Sequence, residues 1–184
     1  MSDETAKEFV TGALRHLVRG VKDRKSAFHV IGLATVAADG APRVRSVVLR
    51  GLKPDSGELV FHTDRRAAKF DELSTVPRAA VLAYDEAARL QIRLQGRVVL
   101  QPGLSTVWQG LQPMSRLAYL VGTPPGAPVS DAPDLDDEAG RENFVYCIMH
   151  LTEADVLNLA AGGHRRAVAA LGPAGVGDAV WVGP

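Results

Sequence analysis

The chain has 184 residues, 46 % of them apolar and 23 % charged, which fits one domain with one core and excludes a wholly disordered chain. Lysine plus arginine and aspartate plus glutamate each number 21, so zero net charge gives no global pull toward nucleic acid or a membrane, and any anion site must be a local cluster. No stretch approaches the roughly 18 apolar residues of a membrane-spanning helix. Residues 1–7 lack a secretory pattern, and a single cysteine, Cys147, excludes an internal disulfide, so a cytoplasmic protein is expected.

Phe9, Val10, Ala13, Leu14, Leu17, Val18 and Val21 recur at helical spacing and predict an amphipathic helix over 3–24, with Ser2 or Asp3 as cap. Residues 28–38 and 44–52 are β-rich runs on either side of Ala38-Asp39-Gly40, a hairpin signal. Pro54-Asp55-Ser56-Gly57 turns the chain into a third run at 58–63. Residues 65–75 are rich in helix formers, are stopped by Pro77 and have Asp64 available as N-cap.

Two longer strands are predicted at 79–84 and 89–100. In the second, Leu90, Ile92 and Leu94 alternate with Arg89, Gln91, Arg93 and Gln95, so one face packs and the other carries polar groups. Residues 104–120 read as one or two short helices broken at Pro113. Prolines and acidic residues crowd the stretch that follows, and a mobile loop over 123–143 is expected. Residues 144–159 return to apolar character, interrupted by Glu153 and Asp155. Gly162-Gly163 then turns into His164-Arg165-Arg166 and a glycine- and proline-punctuated tail ending at Trp181. About six strands joined by short turns point to an antiparallel α+β or barrel architecture over a single domain, 1–184. No G-x-G-x-x-G or Walker A sequence is present, which removes the two commonest nucleotide sites.

Arginines inside predicted strands need an explanation, because an unpaired buried guanidinium is costly. Arg43, Arg45 and Arg50 lie on the second strand and Arg89 and Arg93 on the fifth. Either one sheet face is solvated, or some of these residues bind an anion. For the second account, His62-Thr63-Asp64-Arg65-Arg66 leads a strand into a helix N-terminus, where Arg45, Lys69, Thr63 and free amides can surround a phosphomonoester. Strict alternation puts Arg43 and Arg45 on one face and Arg50 on the other. The five histidines show no metal-ligand spacing, and no Ser/His/Asp set is recognisable, so no metal and no side-chain catalyst are nominated. Cys147, in an apolar run, reads as a buried inert thiol.

The run Pro42-Arg43-Val44-Arg45-Ser46-Val47-Val48-Leu49-Arg50-Gly51 resembles the FMN-gripping strand of the pyridoxamine 5′-phosphate oxidase-like family. It is followed in family order by Phe61-His62-Thr63-Asp64, by Lys69-Phe70-Asp71-Glu72-Leu73 with Pro77, and by Leu90-Gln91-Ile92-Arg93-Leu94-Gln95-Gly96. The resemblance implies a mainly β (α+β), six-stranded antiparallel split β-barrel with flanking helices, and a homodimer with FMN at the subunit interface. It implies Arg45 and Lys69 as flavin-phosphate ligands, with Ser46, Val47, Val48, His62, Thr63 and Gln91 as further FMN contacts. It also implies that Arg166 closes the partner's site, with His164 on the substrate side.

Ala68 stands where the oxidases have an arginine, with Arg65 or Arg66 as compensation, and Leu157 or Asn158 where they have a tryptophan. At the substrate's phosphate, Arg50 replaces a lysine, Trp108 a tyrosine and Gln112 an arginine, while Ser115 is retained as a hydroxyl. The chain therefore looks closer to the short FMN-binding relatives than to true pyridoxamine phosphate oxidases. The expected function is an FMN-dependent oxidoreductase with a small-molecule substrate. The alternatives are pyridoxamine/pyridoxine 5′-phosphate oxidation and a non-catalytic flavin- or haem-binding module.

Overall fold

A computed structural model describes residues 4–128, 135 and 137–184. Helix α1 (Ala6–Lys22) turns Phe9, Val10, Ala13, Leu14 and Leu17 into the core, as its spacing requires. Its cap is Thr5, in a reciprocal capping box with Glu8; Ser2 and Asp3 lie outside the described residues. The helix packs on the C-terminal strands, where Arg165 bonds Glu4 at 2.6 Å and lies over the Phe9 and Trp181 rings.

Every strand pairing is antiparallel. The strands are β1 (Val30–Val36), β2 (Pro42–Val48), β3 (Gly51–Lys53), β4 (Glu58–Asp64), β5 (Arg78–Asp85), β6 (Leu90–Pro102), β7 (Phe144–Asn158), β8 (Arg165–Gly172) and β9 (Gly175–Val182). The main order is β2-β1-β5-β6-β7-β4-β3, with β8 on β7 and β9 on β8. Mostly antiparallel sheet with flanking helices is the expected class, and the sheet is not closed.

Among the described residues nine strands replace the expected six for two reasons. Run 44–52 is not one strand, because the chain changes partners at Leu49-Arg50. The Leu49 N–H donates to the His29 carbonyl and the Arg50 N–H to the Val60 carbonyl, both at 2.9 Å. One nearly continuous segment thus forms both ends of the main strand order and curls the sheet on itself. The punctuated tail supplies the other two strands, its glycines falling at a hairpin where Gly175 has φ 81°.

Strand β7 is branched. Along one side it pairs with the whole of β6, and along the other its first half pairs with β4 and its second with β8. The β6 register shifts between Gln95 and Gly96, where a Cβ on Gly96 would run into the His150 carbonyl.

The remaining helices are α2 (Ala68–Thr75), α3 (Ser105–Gly110), α4 (Pro113–Leu120) and α5 (Asp137–Asn143). α2 starts three residues later than expected, because Asp64 still belongs to β4 opposite Phe144, and Ala67, without a capping side chain, is its N-cap. Pro113 divides α3 from α4 as a first-turn proline. Within the expected loop, residues 137–143 are helical, while 129–134 and 136 lie outside the described residues. No helix among the described residues is long and apolar enough to cross a membrane.

Candidate functional site

The predicted site residues fall into three neighbourhoods around β2. The first is a charged corner between β1, β2 and α2. Register places Arg45 opposite Leu33 and Arg43 opposite Thr35, on the face covered by α2. The Arg45 guanidinium donates to the Glu72 carboxylate at 2.7 Å and to the Thr35 hydroxyl, which itself donates to Glu72. Burial would raise the Glu72 carboxyl, but the Thr35 hydrogen bond and the Arg45 pairing outweigh it and hold the group below its ordinary value.

Lys69 lies three residues before Glu72, one turn away on α2, yet its ammonium has no hydrogen bond or ion pair among the described residues. Desolvation, and then the Arg45 charge, push its pKa below the usual lysine value. Two cations therefore converge at the start of a helix with no capping side chain, which is an arrangement that an anion relieves.

Of the compensating arginines, Arg66 is engaged by Asp64 at 2.7 and 3.0 Å and by the Val121 and Gly122 carbonyls at 2.9 and 3.0 Å. Arg65 is exposed and unpaired among the described residues. Among the described residues the buried Thr63 hydroxyl reaches only the Asp64 carbonyl, at 3.4 Å. Cys147 is fully buried, its pKa raised to about 12 by that burial.

The second neighbourhood is a cavity of about 420 Å³ at the β2–β3 junction, lined in part by Val48, Arg50, His62 and Ser115. The strand break carries Arg50 away from the Arg45 cluster and toward β4. Burial, and then the Arg50 charge, lower the His62 pKa to about 4, so its imidazole is neutral at pH 7. Tyr119 rises to about 12, chiefly by burial.

Among the lining residues that sequence reasoning missed, Arg24 and His29 belong to the α1–β1 connection and to no motif. Two nominated residues do not line this cavity. Trp108 is buried against Tyr119 and Phe144 in a satellite aromatic cluster, and Gln112 is exposed as the α4 N-cap.

The third neighbourhood is the outward face of the sheet. Ser46, Gly32, Leu82, Arg93, Asp155, Val168 and Val180 form one cross-strand row on it, and Tyr84, Gln91, Leu157, Arg166 and Val182 form the next. Gln91 and Arg166 are thus separated only by Leu157. Asp155, 7 % exposed, accepts from Arg166 at 3.0 and 2.8 Å and from Arg93. The Arg166 hydrogen bond, opposed by burial and reinforced by Arg93, holds the Asp155 pKa below the usual carboxylate range. A trough of about 420 Å³ crosses this face over Gly32, Ala34 and Ala80, and Val44, Leu82 and Val180 beside it are exposed. Val47 points the other way, into the core, and His164 is exposed in the turn before β8.

Residues 12–102 match the family model for the pyridoxamine 5′-phosphate oxidase FMN-binding domain. The chain is 29 % identical over 168 residues to pyridoxine/pyridoxamine 5′-phosphate oxidase 2 of Arabidopsis thaliana, covering 82 % of this chain and 83 % of that one. It is 40 % identical over 75 residues to the pyridoxine/pyridoxamine 5′-phosphate oxidase of Roseobacter denitrificans, covering 41 % of this chain but only 36 % of the relative. Among solved structures, a pyridoxamine 5′-phosphate oxidase-related FMN-binding protein of Nostoc punctiforme superposes with a TM-score of 0.78 at 24 % identity over 100 % of both chains. PhzG of Burkholderia lata, solved with tetrahydrophenazine-1-carboxylic acid, gives 0.74 at 20 % identity over 99 % of this chain and 95 % of that one. At these identities the two structures speak to fold alone.

Proposed function

Because the chain belongs to the pyridoxamine 5′-phosphate oxidase-like FMN-binding family, with the FMN-binding domain at residues 12–102, we propose that it is an FMN-dependent oxidoreductase working as a homodimer. The observation that carries this reading is the unpartnered Lys69 ammonium beside Arg45 at the uncapped start of α2. A flavin phosphate fits there. Glu72 and Thr35 fix the plane of the Arg45 guanidinium, while its remaining N–H groups and Lys69 are left to donate. Bound FMN supplies hydride acceptance and donation, so no side-chain nucleophile is needed.

The dimer reading rests on the outward face, whose exposed apolar side chains and Gln91–Leu157–Arg166 row a second copy would cover. In that assembly the corner of one protomer and the row of its partner complete one site. The reading stops short of pyridoxamine phosphate oxidation, because Trp108 and Gln112 stand outside the cavity holding Arg50 and Ser115.

Absorbance of the purified protein and titration with FMN test the proposal, with one flavin per chain expected. Arg45→Ala and Lys69→Ala should each weaken FMN binding by about 1.5–3 kcal/mol. Riboflavin, which lacks the phosphate, should be nearly indifferent to both changes. Unchanged FMN affinity in both variants would place the phosphate elsewhere, and a monomer by light scattering would remove the shared site.

A further inference from the structure

We propose that the cavity at the β2–β3 junction takes a flat organic carboxylate that also carries a hydrogen-bond donor, with the carboxylate on Arg50 and the donor on His29. The inference rests on reading this cavity as the substrate side of the FMN site and adds the chemical class of the occupant.

Charge is the first ground. Arg24 and Arg50 line the cavity, no acidic residue does, and among the described residues neither guanidinium has a hydrogen bond or ion pair. Arg50 is partly buried, where an unpaired charge is costly, and it is the charge felt by both His62 and Tyr119.

The donor inventory is the second ground. A guanidinium presents two parallel N–H groups that match the two oxygens of a carboxylate, and the Ser115 hydroxyl adds one more donor. The three terminal oxygens of a phosphate require a fuller cradle. Here the Ser115 N–H is already given to the Gln112 carbonyl at 2.8 Å, and neither the Gln112 amide nor the Trp108 indole lines the cavity.

His29 is the third ground. Its Nδ1 lies 2.8 Å from the Gly20 carbonyl, an oxygen that only accepts, so Nδ1 is the donor in that bond, and in the tautomer this selects Nε2 is the acceptor. Val48, Met114 and Ala118 supply apolar wall for a flat body between the two ends.

The test is calorimetric titration of 3-hydroxybenzoate, 3-hydroxybenzamide and phenyl phosphate into the FMN-loaded protein and into flavin-free protein. The carboxylate should bind about ten- to a hundredfold more tightly than the neutral amide, and more tightly than phenyl phosphate. Arg50→Gln should lose the same factor. His29→Phe should abolish the preference for 3-hydroxybenzoate over 3-methoxybenzoate. Equal affinity for amide and carboxylate, tighter binding of phenyl phosphate, or no carboxylate binding overturns the proposal. The wild-type comparison stands even if a variant fails to fold. Flavin absorbance in the same samples reports separately on the FMN reading, and the flavin-free arm tests the carboxylate if that reading fails.

Discussion

Arg45 and Arg50 leave the same segment five positions apart and meet opposite electrostatic fates. Arg45 has an internal counter-ion, Glu72, and a hydroxyl, Thr35, to hold it. Arg50, beyond the partner switch, faces a neutral imidazole and a phenol and has no carboxylate partner among the described residues. The first charge is already held by the fold before any ligand arrives, while Lys69 beside it has no counter-ion among the described residues. The second is left open for whatever enters the cavity. A strand can therefore carry one arginine that the fold orients in advance and one left without a counter-ion if its hydrogen-bond partners change between them.

The largest effect should come from breaking the satisfied pair. Arg45→Ala strands the buried Glu72 and should cost about 3 kcal/mol or more of stability in denaturant unfolding at neutral pH. A loss below about 1 kcal/mol would mean that the corner is solvated in solution.

Next comes pH. The folded His62 pKa, about 4 against an ordinary 6.5, means that the unfolded chain takes up this proton first as pH falls. The contribution of His62 is complete above about pH 6.5 and is lost progressively toward pH 4, on the order of 3 kcal/mol in all. His62→Phe should flatten the stability curve over that window.

Lys69→Met removes a desolvated charge next to Arg45. It should raise stability of the flavin-free protein by about 1 kcal/mol while weakening FMN, a trade that a purely structural lysine would not make. Smallest is Arg50→Gln in the free protein. Thermal stability should rise slightly, since a partly buried unpaired charge is removed, and the His62 titration followed by NMR should shift upward only in part, because burial outranks the Arg50 charge among its causes.

What the sequence disclosed and withheld divides along local and non-local lines. The α1 periodicity, the Ala38-Asp39-Gly40 hairpin, the Pro113 break and the alternation on β6 are short-range signals, and each element stands where they put it. The break at Leu49-Arg50 was invisible, because a β-rich run does not say when its partner changes. β8 and β9 hid behind glycines that mark a hairpin. In the site, Arg45, Lys69, Arg50 and His62 were legible as residue types. That Arg45 would be held by Thr35 and Glu72 depends on which helix covers which strand, although the Lys69/Glu72 spacing on α2 offered a clue. Arg24 and His29 carry no motif, and only the turn after α1 brings them to the cavity.

The branched β7 also constrains how the chain comes off the ribosome. Both β4 and β6 precede it by tens of residues and expose bare edges until residues 144–158 emerge, since β7 is the partner that each is waiting for. Synthesis through the first three-quarters therefore yields a partial sheet with unpaired edges, which is the state most open to aggregation. Once β7 docks, it seals β4 and β6 in one event and offers its second half to β8, which follows it in the chain. Its central amides should then exchange with solvent only through global unfolding, more slowly than those of edge strand β2.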